Sequence, residues 1–336
     1  MKDTIAVVGA GSWGTALANL LAKKGYRVRL WSHEPDVAET ITTTGENPRY
    51  LQGIELDPRL EATADLAAAV VGAGVVVSVS PAQHVRQVMS AAAPALEPDA
   101  LVISASKGIE TESLKTMAEV FDEVLPGPIA ERACFLSGPS FALEVARELP
   151  TAVTVASKSA EAAARTQKLF QTDYFRVYTT HDVRGVELGG ALKNVIAVGA
   201  GMTTGLGLGH NARAALITRG LAEMSRLGIA LGADPVTFAG LAGMGDLILT
   251  CTGELSRNRS VGLALAQGRS LDEILASMTM VAEGVPTTRA AYALARRTGV
   301  EMPIVAEVHA VLFEGRAPRA AVENLMLRTP KAEVWG

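Results

Sequence analysis

The sequence predicts an α/β chain with a doubly wound parallel sheet in its first half and an all-α second half. Three observations predict it. Short β-branched runs alternate with Ala- and Leu-rich segments of helical period from Thr4 to about Thr180. A glycine-rich turn joins the first of those runs to the first helical segment. Past Thr180 the strand signals stop and only helix-like content remains.

Taken in order, strands are expected over residues 5–8, 28–31, 75–79, 101–104, 134–136, 152–155 and 175–177, with helices such as 15–24 and 113–124 between them. Their apolar residues run nearly continuously instead of alternating, which requires burial on both faces. Helices are then expected over 183–200, 212–227, 261–267, 271–278, 287–298 and 304–313. A boundary near Asp182 divides the chain into domains 1–181 and 182–336, consistent with 336 residues exceeding what one core serves. No tandem repeat or low-complexity linker separates the halves, so the interface between them should be extensive.

Composition narrows the function. A formal charge of -4 and few aromatic residues argue against nucleic acid as partner, because phosphate backbones are held by a surplus of Lys and Arg. Cys134 and Cys251 lie far apart with no metal-ligand spacing around them, which suggests neither a disulfide framework nor zinc and points to a reducing, cytoplasmic setting. The apolar run at 5–9 is too short for a signal-peptide core, and the run at 66–79 is broken by Gly72 and Gly74 and too short to span a bilayer.

GAGSWG, residues 9–14, follows the first strand and opens the first helix, the context that a Rossmann-type dinucleotide fingerprint requires. Gly9 makes the tight turn, Gly11 lets a pyrophosphate approach the backbone, and Gly14 permits close packing of helix on sheet. An NAD site usually has a carboxylate at the end of the second strand, but this strand ends Trp31, Ser32, His33, Glu34. His33 or a nearby Arg can instead take a 2'-phosphate, so both NAD(H) and NADP(H) stay open.

Two further loops, SKG at 106–108 and SGPSFA at 137–142, follow strands and so belong to the sheet edge where open α/β folds bind ligands. Lys107 offers a cation there, and Gly138 and Ser140 sit at a turn into a helix, although singly Lys107 reads equally as an exposed turn lysine and Ser140 as a cap. Lys193 lies in a helix of small and apolar residues, one turn after Gly189 and Gly190. Burial there is costly unless the lysine is paired or used, and it lowers the pKa toward the range of proton transfer. Asp246, in a glycine-rich turn, caps a helix or pairs with a lysine in the cleft. Ser256, Arg257 and Asn258 stand at a helix start, where a guanidinium fork and free amides suit a phosphate. Asn211 and Arg213 form another polar cluster beside His210, and Glu283 opens a further helix. No His or carboxylate spacing suggests a metal.

In this order GAGSWGTALA, NPRYL, SKG, SGPSFA, GGALKNVIAVGAG, GHNARAALITRG, LAGMGDLILTC, SRNR and AEGVPT resemble the bacterial-type NAD(P)-dependent glycerol-3-phosphate dehydrogenases, from about residue 4 to about residue 313. The resemblance implies reversible reduction of dihydroxyacetone phosphate to sn-glycerol 3-phosphate, at the head of glycerophospholipid synthesis, by a homodimer. It implies that Lys193 donates and accepts the proton and that Lys107, Gly138, Ser140, Asp246, Ser256, Arg257 and Asn258 contact substrate. It places Ser12, Trp13, His33, Tyr50, Lys107, Ala142, Arg257, Val281 and Glu283 against the cofactor. The rivals are a β-hydroxyacid or 6-phosphogluconate-type dehydrogenase, against which SRNR and SGPSFA speak, and a non-catalytic dinucleotide sensor, which needs no substrate residues.

Overall fold

The computed structural model describes residues 4–330 with 332 and 333; the remaining residues at the outer ends of the two expected domains lie outside the described residues. Ten strands form: β1 (Thr4–Val8), β2 (Arg27–Trp31), β3 (Glu46–Asn47), β4 (Leu51–Glu55), β5 (Leu60–Thr63), β6 (Val75–Ser78), β7 (Leu101–Ser104), β8 (Cys134–Ser137), β9 (Thr151–Ser157) and β10 (Phe175–Thr180). Eight of them make one sheet in the order β10-β9-β8-β7-β6-β1-β2-β5, while β3 and β4 form a separate hairpin. The chain winds outward from β1 through β2 in one direction and through β6, β7 and β8 in the other. The order therefore reverses between β1 and β6, and the crevice at the carboxyl ends of those strands is where such sheets bind ligands. Strands β6, β7 and β8 are buried throughout, with one apolar cluster on each face of the sheet.

The sheet is doubly wound as predicted, with one departure from an all-parallel arrangement. β9 runs antiparallel to β8, and β10 follows β9 in parallel. The reason is local. A parallel return needs a crossover long enough to span the sheet, usually a full helix, and the segment between Ser137 and Thr151 holds only the short helix Ala142–Ala146. The backbone instead reverses through Gly138, which has φ 135° and where a Cβ would lie 2.9 Å from Val153 Cα, leaving no room for a side chain. The β3–β4 hairpin and the edge strand β5 were not predicted, since LQGIE and LEAT lack the β-branched run that marks the inner strands.

After Thr180 the described residues are helical. The central element is the helix Val183–Gly205, buried along nearly its whole length as the absence of a polar face predicted. Around it pack Gly209–Ala230, Asp246–Thr252, Arg257–Ala266, Gly284–Thr298 and Pro303–Phe313. Two glycines set the tightest crossing: a Cβ on Gly201 would lie 2.0 Å from Arg259 O, and one on Gly262 would lie 1.9 Å from Val198 O. Two helix backbones therefore touch, which fixes the Arg257–Ala266 helix against the helix that carries Lys193. One segment, Pro235–Thr252, has the length and hydropathy of a membrane span. It is broken into Pro235–Phe238, a π-helical turn at Leu241–Gly245 and Asp246–Thr252, and it carries a doubly ion-paired aspartate.

Candidate active site

The glycine turn follows β1 directly. Gly9 adopts φ 127° and its amide donates to Trp31 O at 3.1 Å, while a Cβ on Gly14 would lie 1.8 Å from Gly9 O. These two glycines are required by close packing. Gly11 differs, for a Cβ there would meet nothing within 4 Å. It stands at the start of the helix Ser12–Lys23, which has no side-chain cap and no acid in its first turn. The free amides thus face open space on the side where a pyrophosphate would sit, so the turn fits a dinucleotide. Asn47 steadies it by donating to Ala10 O and Thr15 Oγ1, both at 2.9 Å. This role is not legible in the sequence, because Asn47 is distant along the chain from the turn it holds.

Lys193 is 7% exposed, and its ammonium lies 2.6 Å from Asp246 Oδ1 and 2.8 Å from Thr250 Oγ1. The other carboxylate oxygen, Oδ2, is 2.7 Å from Lys107 Nζ, which also donates to Gly138 O at 2.9 Å. Asp246 therefore pairs two lysines, one from the sheet edge after β7 and one from the central helix. Burial pushes the Lys193 pKa down, and the neighbouring Lys107 adds to that, so that it reaches about 8 despite Asp246. Burial works against ionised Asp246 too, but two ammoniums outweigh it and hold its carboxyl below the usual range. Thr250 escaped the sequence reading, although its place one turn after Asp246 on the same helix was the available signal.

The elements around this cluster are tied together. Ser256 caps the helix Arg257–Ala266 by accepting from Arg259 N at 3.2 Å. Asn258 donates to Asn194 Oδ1 and accepts from Gly284 N, both at 2.8 Å, so it links three helices beside Lys193. Asn194 was not singled out beforehand. The exposed Arg257 guanidinium donates to Val281 O at 2.9 Å. Glu283 Oε1 accepts from Ala82 N at 2.9 Å and so joins the helical half to the loop after β6, while burial pushes its pKa up to about 7. Across the turn, Ser12 Oγ lies 2.9 Å from Met280 Sδ. Ser106 Oγ donates to Ser80 O at 2.6 Å, and Gly9 abuts Val79 and Ser80, which completes a continuous path from the glycine turn to Lys107.

The remaining expected positions are more peripheral. Trp13 has its indole nitrogen buried without a partner among the described residues. His33 is exposed, edge-on to Trp31 at 6.0 Å, and Tyr50 donates to Glu34 Oε1 at 2.7 Å. Ser140 Oγ donates to Gly138 O at 3.0 Å, Ala142 opens the short helix after β8, and Val281 is exposed. Arg213 meets His210 Nδ1 at 2.8 Å on an exposed helix start with Asn211, which bonds neither to the lysine pair. Among the described residues no three His, Cys, Asp or Glu side chains converge on a metal position.

Comparison with known proteins shows the family. Residues 4–163 match the family model described as NAD-dependent glycerol-3-phosphate dehydrogenase N-terminus, and residues 182–323 match the corresponding C-terminus. Proteins named glycerol-3-phosphate dehydrogenase (NAD(P)+) from Geobacter metallireducens and Citrifermentans bemidjiense are 59% and 57% identical, each over 99% of both chains. The crystal structure of glycerol-3-phosphate dehydrogenase from Coxiella burnetii superposes with a TM-score of 0.93 at 40% identity, covering 97% of this chain and 99% of that one. A ketopantoate reductase from Ralstonia eutropha, 19% identical with a TM-score of 0.61, shares the fold alone. With the two family models together matching most of the chain, Lys107 and Lys193 included, the chain belongs to the NAD-dependent glycerol-3-phosphate dehydrogenase family.

Proposed function

We propose that the protein reduces dihydroxyacetone phosphate reversibly to sn-glycerol 3-phosphate, with Lys193 as general acid and base. The observation that carries this reading is one buried carboxylate, Asp246, shared by Lys193 and Lys107 at the junction of sheet edge and helices. A bound NADPH or NADH supplies the hydride, held by the glycine turn with Ser12, Trp13, His33, Tyr50, Ala142, Val281 and Glu283. Lys193 gives its proton to the ketone oxygen as negative charge develops there, and a pKa of about 8 leaves it protonated at neutral pH yet able to give the proton up. Asp246 and Thr250 hold that ammonium in place, and Lys107 adds a second positive charge facing the same oxygen. Gly138 and Ser140 line the substrate loop. Arg257, with Ser256, Asn258 and the amides opening their helix, holds the remote phosphate, and that binding energy fixes the ketone for attack.

We further infer a cytoplasmic homodimer that supplies glycerophospholipid synthesis. Two buried, unbridged thiols, Cys134 and Cys251, support a reducing compartment, and sedimentation of the purified protein tests the dimer. The activity is tested by following NADPH and NADH absorbance with dihydroxyacetone phosphate, with 6-phosphogluconate and β-hydroxyacids as alternatives in the reverse direction. Turnover of dihydroxyacetone phosphate alone is expected. Dinucleotide binding without any turnover would leave the sensor reading in its place.

A further inference from the structure

Beside Lys107 a small cavity is lined by Lys107, Ser106, Ser137, Glu187 and Gly190, among others. It has room for about one water molecule. Two polar atoms of its lining residues, Glu187 Oε2 and Ser137 Oγ, are shielded from solvent and have no hydrogen-bond partner among the described residues. Leaving two such atoms unpaired is costly. Gly190 keeps the space clear, since a Cβ there would stand 2.6 Å from Ser137 Oγ and 3.6 Å from Lys107 Cγ. The other Glu187 oxygen is committed, accepting from Ala118 N at 2.9 Å.

We propose that this cavity is a water site and that Glu187, through that water and Ser137, is a positioning residue for Lys107 and hence for the carboxylate the two lysines share. The inference rests on the reductase reading above. Ser137 directly precedes Gly138, whose carbonyl takes the Lys107 ammonium, so a water anchored on Ser137 Oγ fixes the peptide that aims Lys107. A filled cavity also stops the lysine stem from collapsing inward. The charge state of Glu187 matters, because a second anion beside Lys107 would compete with Asp246. Burial pushes Glu187 up to about 8, and Glu119 on the helix Met117–Val124 pushes the same way. The Thr116 hydroxyl and the Met117 and Ala118 amides oppose this only in part. Lys107 faces Glu187 from the loop after β7, and Arg184 on its own helix is drawn to Glu119 at 3.7 Å. At neutral pH Glu187 therefore keeps its proton, and its O–H donates a hydrogen bond to the water. Above pH 8 it ionises, and the new negative charge favours the ammonium form of Lys193.

The test compares wild type, Glu187→Gln and Glu187→Leu over pH 6 to 10, reading kcat and KM for dihydroxyacetone phosphate and NADPH. Gln keeps an acceptor for Ala118 and a donor for the water, and Leu keeps neither. Glu187→Leu should lower kcat about tenfold with the NADPH KM unchanged. Glu187→Gln should hold kcat within about threefold at pH 7 while the alkaline limb of kcat moves down by about half a pH unit, because a neutral amide cannot ionise to support the Lys193 ammonium. Should the Leu variant fail to fold, Ser137→Ala replaces it, with kcat expected to fall in the same direction. An infrared difference spectrum, wild type minus Glu187→Gln at pH 7, should show the carbonyl stretch of a protonated carboxyl. Wild-type kcat with an unmoved limb in both variants, or absence of that stretch, overturns the proposal. If wild type fails to turn over dihydroxyacetone phosphate, the reductase reading falls instead, and the infrared band still decides the state of Glu187.

Discussion

Two ammoniums sharing one buried carboxylate form an arrangement whose parts are unequal. Lys107 is 17% exposed at its side chain and also leans on a backbone carbonyl, whereas Lys193 is held by Asp246 and Thr250 alone. Burial loosens the Lys193 proton. Replacing Lys193 with Ala leaves Asp246 paired to Lys107, so the variant should fold and bind NADPH with unchanged affinity by fluorescence titration. Its turnover should drop on the order of 10³-fold, the usual range for losing a positioned acid together with its charge. A drop of less than tenfold would remove Lys193 from its role. In the proposed mechanism Arg257 serves a different step. Its guanidinium is exposed and spends one donor on Val281 O, leaving the rest of the fork to an anion. Arg257→Ala should raise the dihydroxyacetone phosphate KM about 30-fold, as expected for a lost charge-assisted contact. Arg257→Lys should recover little of that, since an ammonium cannot reproduce the fork. A KM titrating like wild type would move the phosphate elsewhere.

Among the secondary-structure elements, the crossing of Val183–Gly205 with Arg257–Ala266 decides whether Asn258 and Arg257 stand beside Lys193 at all. A Cβ on Gly262 would lie 1.9 Å from a backbone oxygen, which no rotamer can relieve. Gly262→Ala should therefore destabilise the protein by about 3 kcal/mol in urea unfolding, although alanine inside a helix is intrinsically favoured by about 1 kcal/mol. Gly127→Ala, at a helix start with open space around it, is the control and should change stability by less than about 0.5 kcal/mol. Equal effects would show that the crossing is not backbone-limited. This contact also bears on what could be read in advance. The glycines and the missing polar face of 183–205 were visible in the sequence, and so were the glycine turn and the strand-end loops, because each depends on residues close in the chain. The β9 reversal was not, since it turns on how far a short connection reaches across a sheet. Asn47 and Asn194 were missed for a related reason, since each acts on a partner that only the assembled fold brings near, whereas Thr250 carried a local signal in its place one turn after Asp246.

For the molecule as a whole, three carboxyls held above their ordinary range give folding stability a definite pH dependence. Burial raises Glu187 to about 8, and Glu223 and Glu283 to about 7, against 4.5 for an ordinary glutamate. Glu223 is 1% exposed and receives the Ile304 and Val305 amides at the start of Pro303–Phe313, while Glu283 receives Ala82 N across the two halves. Between pH 4.5 and these raised values the folded chain binds more protons than the unfolded one, so stability must fall as pH rises through that window. For Glu223 alone the fall is at most about 3 kcal/mol, complete just above pH 7. Lys193 does not offset it there, because both states hold that proton until the pH passes about 8. Asp246, shifted downward, loses its contribution only under more acidic conditions. The urea midpoint of the protein without cofactor should therefore be lower at pH 8.0 than at pH 5.5, and Glu283→Gln should flatten part of the slope by removing one titration. Midpoints that are equal, or that rise with pH, would mean these carboxyls reach water in the folded state, and the tie between Glu283 and Ala82 would then be looser than the buried contact implies.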